Sequence, residues 1–596
     1  MQEHELRLKI EAVRSGALPR RSFIAQMVSL GLTAPMASMM LMREGIAQTV
    51  PVIPYKPTKR GGGGTLKLLW WQGATHLNPH FAAGTKEQDA TRIFYEPLAG
   101  WDTDGNLIPC LAAEIPSPQN GGVSADNKSV TWKLKQGVTW HDGKPFTADD
   151  VLFTAAYAGD PATSTVTVGT YKDIKVEKLD AHTVRITYPR PTPFWAEAFT
   201  GTFGCILPKH VFEAYTGAKS RENPANVKPV GTGPYKFVDF KPGDMVRAVA
   251  NTAYHVANQP YFDSLELKGG GEALSAARAV LQTGEFDFAW NLAAEDEILK
   301  KLEAAGKGKL VFLVGSDIEF VSLQVTDPWN EVDGERASVK SKHPVFSDKA
   351  VRQAMALLVD RKGVQEFIYG RGAVATANFL NNPPRYRSPN MKFEFNIEKA
   401  IQILEAAGWK KGADGIRAKG NQKLKFVFQT SVSGPRQKCQ AIMKDACTKA
   451  GIDLELKNVT AAVFFGSDVA NPDTYQKFWC DIQMYTTTMT QPDPQIFMEQ
   501  FTTAQIAQKS NKWASRNLVR WGNAEYDATF AASQVEFDPV KRAAMFIKMN
   551  DLVVSDGYVI PLFARPRPRG YVLKLHPALS AWDSDMWAMS YWYRES

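Results

Sequence analysis

From Thr65 onward the spacing of apolar residues keeps switching between a period of two and a period near 3.6, so the chain must build sheets and helices together. Thr65 to Trp71 reads as a buried first strand. Ser129 to Lys135 and His182 to Tyr188 alternate, with Val130, Trp132, Leu134 and Val184, Ile186, Tyr188 facing one side. Thr147-Ala148-Asp149-Asp150 reads as a capping box that starts a helix over Val151 to Tyr157, because the Thr hydroxyl can accept from the third amide while the acid reaches back. Ser347 is expected to cap a helix whose Val351, Ala354, Met355 and Leu358 form one stripe. Another helix runs from Ile397 to Ala407 and stops at Gly408. The pattern is α/β or α+β. At about 150 residues per domain, 596 residues make three or four lobes.

The formal charge of +8 does not mark a nucleic-acid or membrane-surface protein, since Lys and Arg are interspersed with Asp and Glu and form no block. The five cysteines are too few for a disulfide scaffold and show no CxxC spacing. Cys439 and Cys447 share a helical stretch, about 12 Å apart, too far to bridge.

The amino terminus carries an address. Pro19-Arg20-Arg21-Ser22-Phe23-Ile24 sets paired arginines before a mildly apolar stretch from Ile24 to Met42, and Gly45-Ile46-Ala47 follows with small residues suited to cleavage after Ala47. This order resembles the twin-arginine export signal and implies the twin-arginine translocase as a partner and the periplasm as destination. An uncleaved anchor is the alternative, since about 19 residues is near the minimum for a span. Residues 48–64, with three prolines and then Gly61 to Gly64, read as a flexible leader.

Motifs of catalysis are missing. His76 and His80 are four apart, but Pro79 between them argues for a loop rather than a metal-binding helix face. Gly231-Thr232-Gly233-Pro234 reads as a tight turn, because strand and not helix follows it. No GxSxG, HExxH or P-loop occurs, so no enzyme and no cofactor is expected. What recurs is aromatic surface beside uncharged polar groups: Trp70-Trp71-Gln72, Trp290-Asn291, and Tyr485 to Gln491. That mixture suits a pocket that holds a small polar solute without transforming it.

Several ordered segments resemble one family, the extracellular solute-binding proteins of the peptide and nickel importer class, family 5 or cluster C. They are Leu77-Asn78-Pro79-His80, Tyr95-Glu96-Pro97-Leu98, Asp104 to Pro109, Trp132 to Val138, Trp140 to Phe146, Thr147 to Val151, Gly231 to Tyr235, and Val351 to Ala354 with Asp360-Arg361. The resemblance spans about residues 64 to 570. It implies a periplasmic binding protein of type II with three domains: 65–96 plus 196–315 plus 565–596, an insertion over 97–195, and 316–564. A monomeric receptor would enclose its solute between the first and third and deliver it to an ABC importer permease. In peptide-binding members an aspartate three residues before an acid-proline pair meets the ligand's α-ammonium. Here that pair is Asp493-Pro494 and the position holds Thr490, which can bond an ammonium but not neutralise it. The resemblance places the pocket on the uncharged segment Tyr485, Thr486, Thr487, Thr488, Met489, Thr490 and Gln491. Gln72, Asn78, Trp290 and Asn291 are expected on the facing wall. A peptide, an opine-like or sugar-like compound and a metal chelate all remain open as solutes.

Overall fold

The computed structural model describes residues 3–29, 37, 40–41, 53–313, 315, 317–466 and 468–595. The proposed cleavage site Gly45-Ile46-Ala47 and most of the apolar stretch before it lie outside them. Among the described residues no helix is long and apolar enough to cross a membrane. The helices Glu3–Arg14 and Arg20–Ser29 lie against each other through Ile10, Val13, Phe23 and Met27.

Three sheets organise the rest. The largest has seven strands in the order 308–313, 567–572, 288–289, 65–70, 264–269, 245–250, 235–241. Its first strand, Thr65–Trp70, is flanked by two parallel neighbours and therefore buried, as its run of apolar residues requires. A six-stranded sheet has the order 374–375, 559–564, 318–323, 482–487, 425–431, 453–459. A three-stranded sheet is formed by the two segments that alternate with period two. Ser129–Lys133 pairs antiparallel with Thr183–Thr187, setting Val130 opposite Ile186 and Trp132 opposite Val184, and Lys175–Asp180 completes it.

Local chemistry explains the element ends. Thr147 and Asp150 form the expected capping box at the start of Ala148–Gly159. The cap of Lys349–Leu357 is Asp348 rather than Ser347: the Asp348 carboxylate accepts from the Ala350 amide, while the Ser347 hydroxyl turns back to the His343 carbonyl. Gly231 and Gly233 lie against the backbone at Phe94, where an added Cβ would come within 1.8 and 2.7 Å of its carbonyl oxygen. The Gly-Thr-Gly-Pro turn is therefore a packing device. Cys439 and Cys447 are buried, and all five cysteines are free thiols.

The described part of the leader, from residue 53, is fastened, contrary to the flexible segment expected from its composition. Tyr55 meets Tyr591 and Tyr593 edge-on, and the Arg60 guanidinium donates to the carbonyls of Thr252, Tyr254, Val256 and Gln259. Glycine permits this close laying-down, since a Cβ on Gly63 would collide with Tyr261.

Two short connections join the two large sheets. One runs from Leu313 to Ile318, the other from Ala564 to Arg567, and the Arg565 amide donates to the Asp317 carbonyl between them at 2.9 Å.

Candidate functional site

Where these connections cross, a cleft opens whose empty volume, open solvent at its mouth included, is about 1320 Å³. One wall comes from the seven-stranded sheet. Trp70 ends its first strand and Trp71 follows it; Trp290 stacks on Trp70 at 6.2 Å and lies tilted against Trp71 at 6.1 Å, and Trp290 and Gln72 face the cleft. Asn291 holds a left-handed φ of 47°, uncommon outside glycine, and its carbonyl accepts from the Trp71 indole at 2.8 Å.

The other wall is the end of strand Ile482–Thr487 and the loop after it, which contribute Tyr485 through Gln491. Register dictates what lies beside them. Glu319 stands opposite Thr486, and Phe320 opposite Tyr485 with ring centroids 4.7 Å apart. Arg436, in the first turn of helix Gly434–Lys449, donates to Glu319 at 2.6 Å and to the Thr486 hydroxyl at 2.9 Å. Arg565 donates to the same carboxylate at 3.0 Å. Burial alone would raise the Glu319 carboxyl, but the two guanidiniums hold it below its usual value.

Gln72, Trp290, Asn291, Tyr485, Thr487, Thr490 and Gln491 all line this cleft. Asn78 does not. It is fully buried; its amide donates to Asn226 at 2.8 Å and to the Tyr157 hydroxyl at 3.3 Å, and its oxygen accepts from the His80 amide at 2.9 Å, so it fixes a turn. His80 is likewise internal: its ring nitrogens meet the Thr167 hydroxyl at 2.9 Å and the Cys205 carbonyl at 3.0 Å, and burial takes its pKa down to about 4.

The cleft is charged, whereas its Tyr485–Gln491 loop alone is not. Asp317, Arg436, Asp493, Arg516, Arg565 and Arg567 all reach it. Three of them come from elements remote in sequence and give no local signal. The alternation Arg565-Pro566-Arg567-Pro568-Arg569 does give one, because a period of two on an extended chain puts three guanidiniums on one side. Their partners are Glu319, Asp317 and Asp585. Among the described residues, three buried polar atoms of the cleft have no hydrogen-bond partner: Trp290 Nε1, Gln491 Oε1 and Arg565 Nε. Because these three belong to residues that line the cleft, they are available to a ligand's own polar groups.

Two sheets joined by a double connection, with a polar cleft between them, define a two-lobed binding protein. Residues 106–509 match the family described as bacterial extracellular solute-binding proteins, family 5 Middle. The oligopeptide-binding protein AppA of Bacillus subtilis is 31% identical over 402 residues, covering 65% of this chain and 67% of its own. The structure of AppA with a nonapeptide superposes with a TM-score of 0.76 at 24% identity, covering 91% of this chain and all of that one. NikZ of Campylobacter jejuni with Ni(L-His) gives 0.73 at 21% identity, covering 89% of this chain and 99% of that one. MoaA of A.tumefacien R10 with mannopinic acid gives 0.74 at 21% identity, covering 90% of this chain and all of that one. This chain belongs to family 5 of the extracellular solute-binding proteins. It is an ABC-transporter solute-binding protein with the α/β cluster C fold, and not an enzyme.

Proposed function

We propose that the chain is a monomeric periplasmic receptor that closes on one small polar solute between its two large sheets and hands it to an ABC importer permease. The observation that carries this reading is the cleft itself: its floor is the double connection, and Trp290, Gln491 and Arg565 offer it unmet polar atoms. A ligand that binds the closed form better than the open one shifts the population toward closure by that difference in affinity. In this reading domain I comprises 65–96, 196–315 and 565–596, domain II 97–195 and domain III 316–564. Gln72, Trp290 and Asn291 contact the solute from the first, and Tyr485, Thr487, Thr490 and Gln491 from the third.

A short peptide or peptide-like compound is the first solute class, supported by AppA and its nonapeptide. An opine-like or sugar-like solute is the second. Thr490 favours it, because a threonine replaces the acid that would meet a peptide amine, and MoaA holds mannopinic acid on the same fold. Export follows the twin-arginine route, through Arg20 and Arg21 and cleavage after Ala47. Native mass spectrometry of the protein recovered from its own periplasm tests the receptor reading. One small solute per chain, returned chemically unchanged after long incubation, is expected; a converted product or no bound solute contradicts it.

A further inference from the structure

The charges around the cleft are unevenly matched. Asp317 is taken by Arg567 at 2.7 Å, and Glu319 by Arg436 and Arg565. Asp493 is clamped by both terminal nitrogens of Arg542, one at 2.9 Å, and also accepts from the Gln495 amide at 2.9 Å. Each of these carboxylates is satisfied, so none is left for an ammonium group. Arg516 is different. Its terminal nitrogens donate only to backbone, to the Ile496 carbonyl at 3.1 Å and the Val166 carbonyl at 3.5 Å, and its guanidinium lies 5.0 Å from the Phe203 ring centroid. Among the described residues no carboxylate lies within 4.0 Å of it; Glu499 and Glu197 act on it only from farther away. Arg516 is partly buried, and desolvation draws its pKa below the usual value. A guanidinium has five donors in a planar fork, so most of its capacity here is open to an anion.

We propose that the cleft selects solutes that carry a carboxylate, held by the Arg516 guanidinium, and that it requires no free α-amine. This rests on the receptor reading and names its solute class. Trp290 Nε1 and Gln491 Oε1 add one neutral donor and one neutral acceptor, and Thr487 and Thr490 add hydroxyls, which orient a polar body without charge. Arg516 thus sets specificity for the acid.

Two probes separate the alternatives on the intact mature protein stripped of solute: N-acetyl-dialanine, which has a carboxylate and no amine, and dialanine amide, which has the reverse. Calorimetric titration is expected to favour the acid at least tenfold, about what one charged hydrogen bond supplies. Arg516→Gln should weaken the acid about 10- to 100-fold at an unchanged melting temperature, and Arg516→Lys should recover part of the loss. Equal or reversed affinities, failure of the acid to bind, or an Arg516→Gln variant that binds it like wild type overturns the proposal. The co-purified solute distinguishes failure of this inference from failure of the receptor reading. A bound solute with no acid group overturns this inference alone, whereas no bound solute overturns the receptor reading and this inference with it.

Discussion

Arg567 donates to Asp317 at 2.7 Å, and the two residues belong to the two different connections that join the large sheets. The same guanidinium reaches the Thr488 hydroxyl at 2.7 Å and lies 6.0 Å from the Trp290 ring centroid, so one side chain touches the hinge and both walls of the cleft. Asp317→Asn leaves this buried cation short of a partner. It is expected to cost about 3 kcal/mol in denaturant unfolding, the scale for breaking a buried pair. A loss below about 1 kcal/mol would mean that Asp585 and Asp89, the next acids near Arg567, already carry its charge.

Thr490 lines the cleft and has no charge. Thr490→Asp is expected to raise affinity for dipeptides with a free α-amine by about 10- to 100-fold, as an acid–ammonium contact contributes about 1.5–3 kcal/mol. It should weaken the native solute. Tight dipeptide binding by the wild type, measured by calorimetry, would show that another group meets the amine.

Glu197 accepts from the side chain of Gln495, the first residue of helix Gln495–Glu499, at 3.0 Å. Burial, with the Glu499 charge added, pushes its carboxyl up to about 8. A carboxyl raised on folding binds more protons folded than unfolded, so its ionisation removes stability as pH climbs from about 4.5 to about 8. Glu197→Gln should flatten that decline in a series of melts across the window. A variant whose pH profile overlays the wild type would assign the decline to other groups, Asp89 first among them.

Export gives a separate test. Arg20→Lys with Arg21→Lys keeps both charges but loses the planar forks, and is expected to leave the precursor in the cytoplasm. Fractionation that finds normally matured double mutant in the periplasm would exclude the twin-arginine route.

Much of the fold was legible because its signals are local. Strand pairing of Val130 with Ile186 follows from two period-two segments, and the Thr147 cap from four adjacent residues. The Asp348 cap was missed by one position because Ser347 and Asp348 are both good cap residues, and tertiary contact with His343 decides between them. Asn78 shows the limit for the site: an exposed-type side chain in a family motif satisfied itself against Asn226, 148 positions away. The cleft's charge was hidden for the same reason, since Arg436 and Arg516 reach it from elements whose placement no short window encodes. The Arg-Pro alternation at 565–569 was present as a local signal, but it was not assigned to the site from the sequence.

Closure on a solute is read by small-angle X-ray scattering of the protein, stripped and then resaturated with its co-purified solute. A smaller radius of gyration on binding, saturating at one equivalent per chain, is expected. An unchanged radius at full occupancy, or saturation at two equivalents, would contradict it.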